Sequence, residues 1–237
     1  MSKVLAFFGK LRRKGLRSSL RLLCERTLYY HWELLTLERS LDESFLPKDF
    51  KQGRWRSVKI TTALLPGFSK YFAPQLPAIR GLLAKGCSGN AHLDDDGNVI
   101  MMLWVNESDY YDDQLYRAWF RIPPNCIYQF FVECAVPYRG SGLALLAQSE
   151  MWDEYRGRGF DKVRSVVNTR NEISLKMHVR GSYQEVGESV HVYCLFRCLH
   201  FNRLQRYTEP RLEHLRKPAT RFLVNTPLPS ADGGDAS

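Results

Sequence analysis

Apolar and β-branched residues fill Ile127-Tyr128-Gln129-Phe130-Phe131-Val132-Glu133-Cys134-Ala135-Val136, the pattern of a largely buried strand. A glycine-bearing turn, Tyr138 to Ala144, follows it. Beyond the turn, Leu143 to Tyr155 is built from good helix formers with apolar residues at helical spacing. Lys162 to Val167 reads as a strand, Asn171 as the cap of a further helix, and Gln184 to Arg197 as two closing antiparallel strands. Upstream, Val58 to Ala63 reads as a first strand. Ser69 to Lys85 reads as a helical region broken by Pro74 and Pro77. Gly89 to Leu93 and Val99 to Val105 form a hairpin about Asp95-Asp96-Gly97-Asn98, with Asp-Gly at the turn. Asn106 to Asp113 is an acidic, aromatic loop, either a solvated connection or a rim that attracts a cationic amine, and Tyr116 to Arg121 a further strand. This order predicts a mixed α/β (α+β) single domain, with a strand–helix–strand crossover beside an antiparallel meander.

The turn between strand and helix carries the chemistry. A helix start leaves backbone N–H groups unpaired and adds roughly half a positive charge, so its natural guest is a phosphate or pyrophosphate. Gly140 and Gly142 let such a guest approach the main chain closely. Two familiar phosphate loops do not fit: no Gly-Lys-Ser/Thr is present, and Leu143-Ala144-Leu145 breaks the dinucleotide spacing. A look-alike, Tyr155-Arg156-Gly157-Arg158-Gly159-Phe160, follows a helix and precedes a strand, so its glycines read as helix-stop residues.

Arg139, Gly142 and Ala144 match the Arg/Gln-x-x-Gly-x-Gly/Ala loop of the GNAT acetyltransferase superfamily. Further along, Asn171, Ser174, His178, Arg180, Ser182-Tyr183 and Val186-Gly187 resemble that superfamily's second signature, in the right order. The resemblance covers roughly Val58 to Arg197. It implies a mixed, mostly antiparallel sheet with a central parallel strand–helix–strand crossover flanked by helices, splayed so that coenzyme A enters between the parallel strands. Two residues depart from the pattern. His178 stands where the family commonly has a tyrosine that protonates the departing thiolate, and Ser182 replaces a glycine at a turn.

The activity implied is transfer of an acetyl group from acetyl-CoA to a primary amine: an amino sugar, a small metabolite or a protein amine. Expected cofactor-binding residues are Cys134, Ala135, Val136, Arg139, Gly140, Ser141, Gly142, Leu143, Ala144, Asn171 and Ser174. A backbone N–H near Ala135 or Val136 would polarise the thioester carbonyl. Glu133, the one carboxylate on the central strand, is the candidate base. Strict alternation, however, would turn it to the face opposite Phe130, Val132, Cys134 and Val136. His178 either relays protons or packs. Cys134 has no activating partner adjacent in sequence. The competing function is a non-catalytic coenzyme A-binding or scaffold protein of the same fold.

The chain has 237 residues with a net charge of +9, and no apolar run reaches the ~18 residues a spanning helix needs. Its basic excess is concentrated in Lys3, Lys10, Arg12, Arg13, Lys14, Arg17, Arg21 and Arg26, interleaved with apolar residues at helical intervals. Residues 1–50 therefore read as a basic amphipathic helical extension. Its stripe packs on the domain, or residues 1–40 contact a membrane or a protein partner. Residues 51–204 form the acyltransferase domain, and residues 205–237 a polar, partly disordered tail. Stacking aromatics are missing from the basic cluster, which argues against nucleic acid. Cys24, Cys87, Cys126, Cys134, Cys194 and Cys198 show neither disulfide nor zinc spacing. No metal is expected, and a cytoplasmic location is, peripheral on the inner membrane face if the N-terminal helix binds lipid.

Overall fold

A computed structural model describes residues 28–42, 46, 55–196 and 198–216. The strands are β1 (Tyr29–Ser40), β2 (Arg56–Lys59), β3 (Ser88–Leu93), β4 (Val99–Asn106), β5 (Tyr110–Asp112), β6 (Ala118–Phe120), β7 (Cys126–Cys134), β8 (Lys162–Asn168), β9 (Gln184–Leu195) and β10 (Leu199–Arg206). Three α-helices accompany them: α1 (Leu76–Ala84), α2 (Leu143–Gly157) and α3 (Glu172–Arg180). Short 3-10 turns cover Thr62–Phe68, Ala73–Gln75, Val136–Tyr138 and Glu213–Leu215.

Eight strands make one sheet in the order β10-β9-β1-β8-β7-β4-β3-β2, while β5 and β6 pair separately. Only β7 and β8 run parallel; every other neighbouring pair is antiparallel. The parallel pair is joined through α2, as a crossover connection requires. This is the mixed, mostly antiparallel architecture expected from the sequence.

Most predicted elements are found within a few residues of their expected bounds. The hairpin between β3 and β4 closes as anticipated, with Asp94 Oδ1 accepting from the Asn98 amide at 2.8 Å. Pro77 lies in the first turn of α1, where a missing N–H costs nothing. At the look-alike loop, Phe160 N–H bonds the Tyr155 carbonyl at 3.1 Å and Gly159 adopts φ +90°, so this is a helix stop. The acidic loop contributes β5. Asp109 accepts from Ile122 N–H, Asp112 from the amides of Gln114 and Leu115, and Asp113 from Lys85, so these carboxylates are engaged within the fold.

Three expectations require correction. Tyr29–Ser40, assigned above to a helical extension, is a twelve-residue strand between β8 and β9, hydrogen-bonded to both. Leu34, Leu35 and Leu37 are fully buried, so the strand is covered on both faces. Glu33, Thr36, Glu38 and Arg39 interrupt its apolar residues, so the segment shows no clean strand period, and its place is set by pairing with β8 and β9. Residues 1–27, which carry the basic cluster, lie outside the described residues. Second, Gln184–Leu195 is one long strand rather than two, and its partner β10 reaches Arg206, past the expected domain end at residue 204. Third, the segment after 204 is not all tail: Leu212 is buried, and Arg211 N–H donates to Glu185 at 2.8 Å. Residues 217–237 lie outside the described residues.

The core fills both faces of the central strands. One face is covered by α2 over β3, β4 and β7, and by α3 over β8. On the other, Phe120 and Tyr110 of the small hairpin lie on Tyr128, at ring-centroid distances of 5.4 and 5.6 Å.

Candidate active site

The sheet opens where the sequence places the site. β7 and β8 are paired only from Cys126–Lys162 to Tyr128–Arg164. Past these residues the two strands diverge, leaving the main-chain groups of their C-terminal halves without a ladder partner on that side. β7 then passes through the Val136–Tyr138 turn into α2, whose cap Gly142 has φ +84°, following Gly140 at φ +83°. Both values lie in the left-handed region that favours glycine.

Among the described residues, the amides of Gly140, Gly142 and Ala144 have no hydrogen-bond partner. Leu145 and Leu146 N–H instead bond the Gly142 carbonyl, at 3.0 and 3.1 Å. The loop is held open by its own polar groups. Ser141 Oγ donates to the Tyr138 carbonyl at 2.7 Å, and Arg139 Nε donates to the Cys134 carbonyl at 3.1 Å. Leu143 is buried and anchors the first turn of α2. Free amides at a helix start are an arrangement that suits an anion.

The free amide expected near Ala135 or Val136 is not that of Ala135. Ala135, named above, donates its N–H to the Ile100 carbonyl at 2.8 Å and so has no free donor. Main-chain groups alternate in direction along a strand, so the Cys134 N–H points the other way, into the gap beside β8. The neighbouring Cys134 carbonyl, taken by Arg139, shows the same direction. Val136, at 70% exposure, lies beyond the ladder. Burial pushes the Cys134 thiol pKa up to about 11, despite nearby Arg139, which disfavours the reactive thiolate.

A bulge decides the direction of Glu133. Met102 pairs with Glu133 and Trp104 with Phe130, so Phe131 and Val132 both stand opposite Leu103, with Phe131 at φ +46°. Paired residues share a face. Glu133 therefore lies on the same face as Phe130, the face covered by the small hairpin, where Tyr110 stacks on Phe130 at 4.5 Å. Cys134 pairs with Met101, which pairs with His92, and His92 reaches Glu150 of α2; Cys134 is thus on the helix face. The expected set of Phe130, Val132, Cys134 and Val136 on one face, opposite Glu133, does not hold. Glu133 is half-buried and accepts from Gln75 Nε2 at 3.3 Å.

His178 and its neighbours lie where α3 packs on β8. Asn171 caps α3, its side chain accepting from Ser174 N–H at 3.1 Å, as the sequence suggested. Ser174 and His178 share a helix face. His178 Nδ1 donates to the Ser174 carbonyl at 2.8 Å, which leaves Nε2 to accept from Ser165 Oγ at 3.2 Å. Burial pushes its pKa below the ordinary value, so near neutral pH the ring is uncharged and both nitrogens are engaged. Ser182 adopts φ +61°, the strained turn that its replacement of glycine implied.

Three polar side chains near the site escaped sequence reading. Gln129 on β7 accepts from Trp152 Nε1 and donates to Gln148 Oε1, both at 2.9 Å, and Gln148 donates to the Ala144 carbonyl at 2.9 Å. This chain ties the first turn of α2 to the strand beneath it. Its only advance signal was a glutamine inside an apolar run. Gln75 gave none. Among the described residues no group of His, Cys, Asp and Glu side chains could hold a metal ion, and no helix is long and apolar enough to cross a membrane.

No protein-family model and no curated protein matches the sequence. Solved structures do resemble the fold. The glucosamine N-acetyltransferase region of a fungal multi-domain GH3 β-N-acetylglucosaminidase superposes with a TM-score of 0.50 at 16% identity, over 78% of this chain and 23% of that one. A tandem GNAT protein from the clavulanic acid biosynthesis pathway gives a TM-score of 0.50 at 9% identity, over 76% and 58%. A GCN5-related N-acetyltransferase from Sphaerobacter thermophilus gives 0.47 at 15% identity, over 76% and 57%. The chain thus spans less than two thirds of the length of each of these proteins. At such identities the likeness is one of fold, and that fold is the mixed α+β architecture of the GNAT N-acetyltransferases.

Proposed function

We propose that this protein is an acetyl-CoA-dependent N-acetyltransferase that acetylates a primary amine. The observation that carries this reading is the row of partnerless amides at Gly140, Gly142 and Ala144, set beside the opening between β7 and β8. Together with the α2 terminus they suit the pyrophosphate of coenzyme A, with Arg139, Ser141 and Leu143 shaping the loop. Asn171 uses its side-chain oxygen as the α3 cap, so its Nδ2 and the Ser174 hydroxyl are the groups it and its neighbour offer the pantetheine arm.

In the proposed reaction the amine nitrogen attacks the thioester carbonyl carbon. A C–N bond forms and the carbonyl electron pair moves to oxygen. The Cys134 N–H donates to that oxyanion, a contribution of ~10²–10³ in rate for one such donor. Glu133, held by Gln75, takes the proton from nitrogen, and the C–S bond then breaks to release the thiolate. His178 acts by positioning α3 against Ser165 rather than as a proton donor, because its single ring proton is bonded to the Ser174 carbonyl. The five described cysteines are free, which fits a reducing, cytoplasmic setting.

Titration calorimetry with coenzyme A and acetyl-CoA tests the reading. Saturable binding of both, weakened when Gly142 is replaced, is expected; heat at the dilution baseline at millimolar ligand would end the proposal. The engagement of both His178 nitrogens favours a second reading, a coenzyme A-binding protein of this fold without turnover. Thioester consumption measured across a panel of amino sugars, small amines and peptides separates the two.

A further inference from the structure

The two edges of the main sheet differ sharply. β2 is four residues long and carries Arg56 and Lys59, a short, charged edge that resists further pairing. β10 is eight residues long, seven of them exposed, and Leu199, Phe201 and Leu204 are 57%, 49% and 54% exposed. Although it also carries Arg203 and Arg206, an edge of that length with three exposed apolar side chains, unpaired among the described residues, is a template for another strand.

The hydrogen-bond parity of the sheet identifies which groups are available. Phe196 N–H bonds the Leu28 carbonyl at 2.8 Å, so the even-numbered residues at this end of β9 face β1 and the odd ones face β10. Tyr207 N–H, bonded to the Gly187 carbonyl at 2.8 Å, continues the odd series at the other end. In β10 the main-chain groups of Leu199, Phe201, Arg203 and Gln205 are therefore spent on β9. Those of His200, Asn202, Leu204 and Arg206 point away from the sheet.

We propose that β10 pairs antiparallel with β10 of a second copy of this chain, with Asn202 on the twofold axis, joining two sheets into one. The sequence is self-complementary in that register. His200 stands opposite Leu204, Phe201 opposite the stem of Arg203, Leu199 opposite Gln205 and Cys198 opposite Arg206. No two like charges face each other, and a twofold interface satisfies the same surface on both partners. This interface is independent of the acetyltransferase reading.

Sedimentation velocity of the full chain across the micromolar range, with circular dichroism to verify folding, tests the proposal. A concentration-dependent species of twice the 27.6 kDa chain mass is expected. Asn202→Pro removes an N–H that β9 does not use, and Leu204→Lys replaces an apolar interface side chain with an ammonium set against His200 of the second copy; each should return a folded monomer. A wild-type chain that stays monomeric at every concentration overturns the proposal. A dimer that survives both substitutions is built on another surface and overturns it equally.

Discussion

Phe130 and Glu133 are three residues apart on one strand yet share a face, because the bulge at Phe131 and Val132 inserts one residue against Leu103. A regular strand would have turned the carboxylate toward the helices. The bulge instead places it with Gln75 on the side of the sheet covered by the small hairpin. Glu133→Gln keeps the shape and removes the proton acceptor. We expect kcat to fall by ~10²–10⁴ with coenzyme A affinity unchanged. Full activity in the variant would exclude Glu133 as the base.

At the cradle, Gly142→Ala forces a Cβ into the left-handed region. The expected cost is ~1–2 kcal/mol of stability, with weakened coenzyme A binding. Denaturant melts and calorimetry on the same sample read the two effects. Unaltered affinity in a destabilised variant would remove the loop from the binding site.

Burial holds His178 below its ordinary value, and the unfolded chain titrates near ~6.5. Between the folded and unfolded values the unfolded state binds the extra proton. This stability is therefore fully present above about 6.5 and is lost as pH falls toward the folded value. His31, lowered by burial and by neighbouring His191, acts with the same sign. His178→Gln should accordingly flatten, without abolishing, the fall in urea midpoint between about pH 7.5 and 5.5. An unchanged slope would show that His178 is not buried neutral in solution.

Ser182 holds φ +61° at the turn from α3 into β9. Ser182→Gly relieves a left-handed residue that carries a Cβ, and an increase of ~1 kcal/mol in unfolding free energy is expected. A loss of stability would mean that the serine makes a contact outweighing the strain.

Because β1 lies between β8 and β9, the sheet depends on residues 29–40. A chain lacking residues 1–40 should lose its cooperative thermal transition. Cooperative melting without residues 29–40 would show that the sheet closes in another way.

Local chemistry was legible wherever it depends on neighbours in sequence. Asp-Gly closing a hairpin, Asn171 capping a helix, and Gly140 and Gly142 between a strand and a helix follow from backbone preferences that adjacent residues satisfy. Ser182 was legible as a departure for the same reason. Glu133 was visible as a candidate, but its direction was not. A bulge depends on which residue of β4 stands opposite, and that register is a contact across the chain. Gln75 and Gln129 were missed because a buried glutamine gains its meaning only from partners that folding brings to it.

By itself the sequence determined the strand–helix–strand crossover and the glycine turn at its centre, since periodicity and left-handed backbone demands are local. The tertiary structure alone decided that Tyr29–Ser40 sits in the middle of the sheet, that Cys134 rather than Ala135 has the free amide, and that β10 is an edge of the sheet among the described residues. Each of these rests on hydrogen bonds between residues far apart in the chain, and no local pattern encodes which strand will be the neighbour.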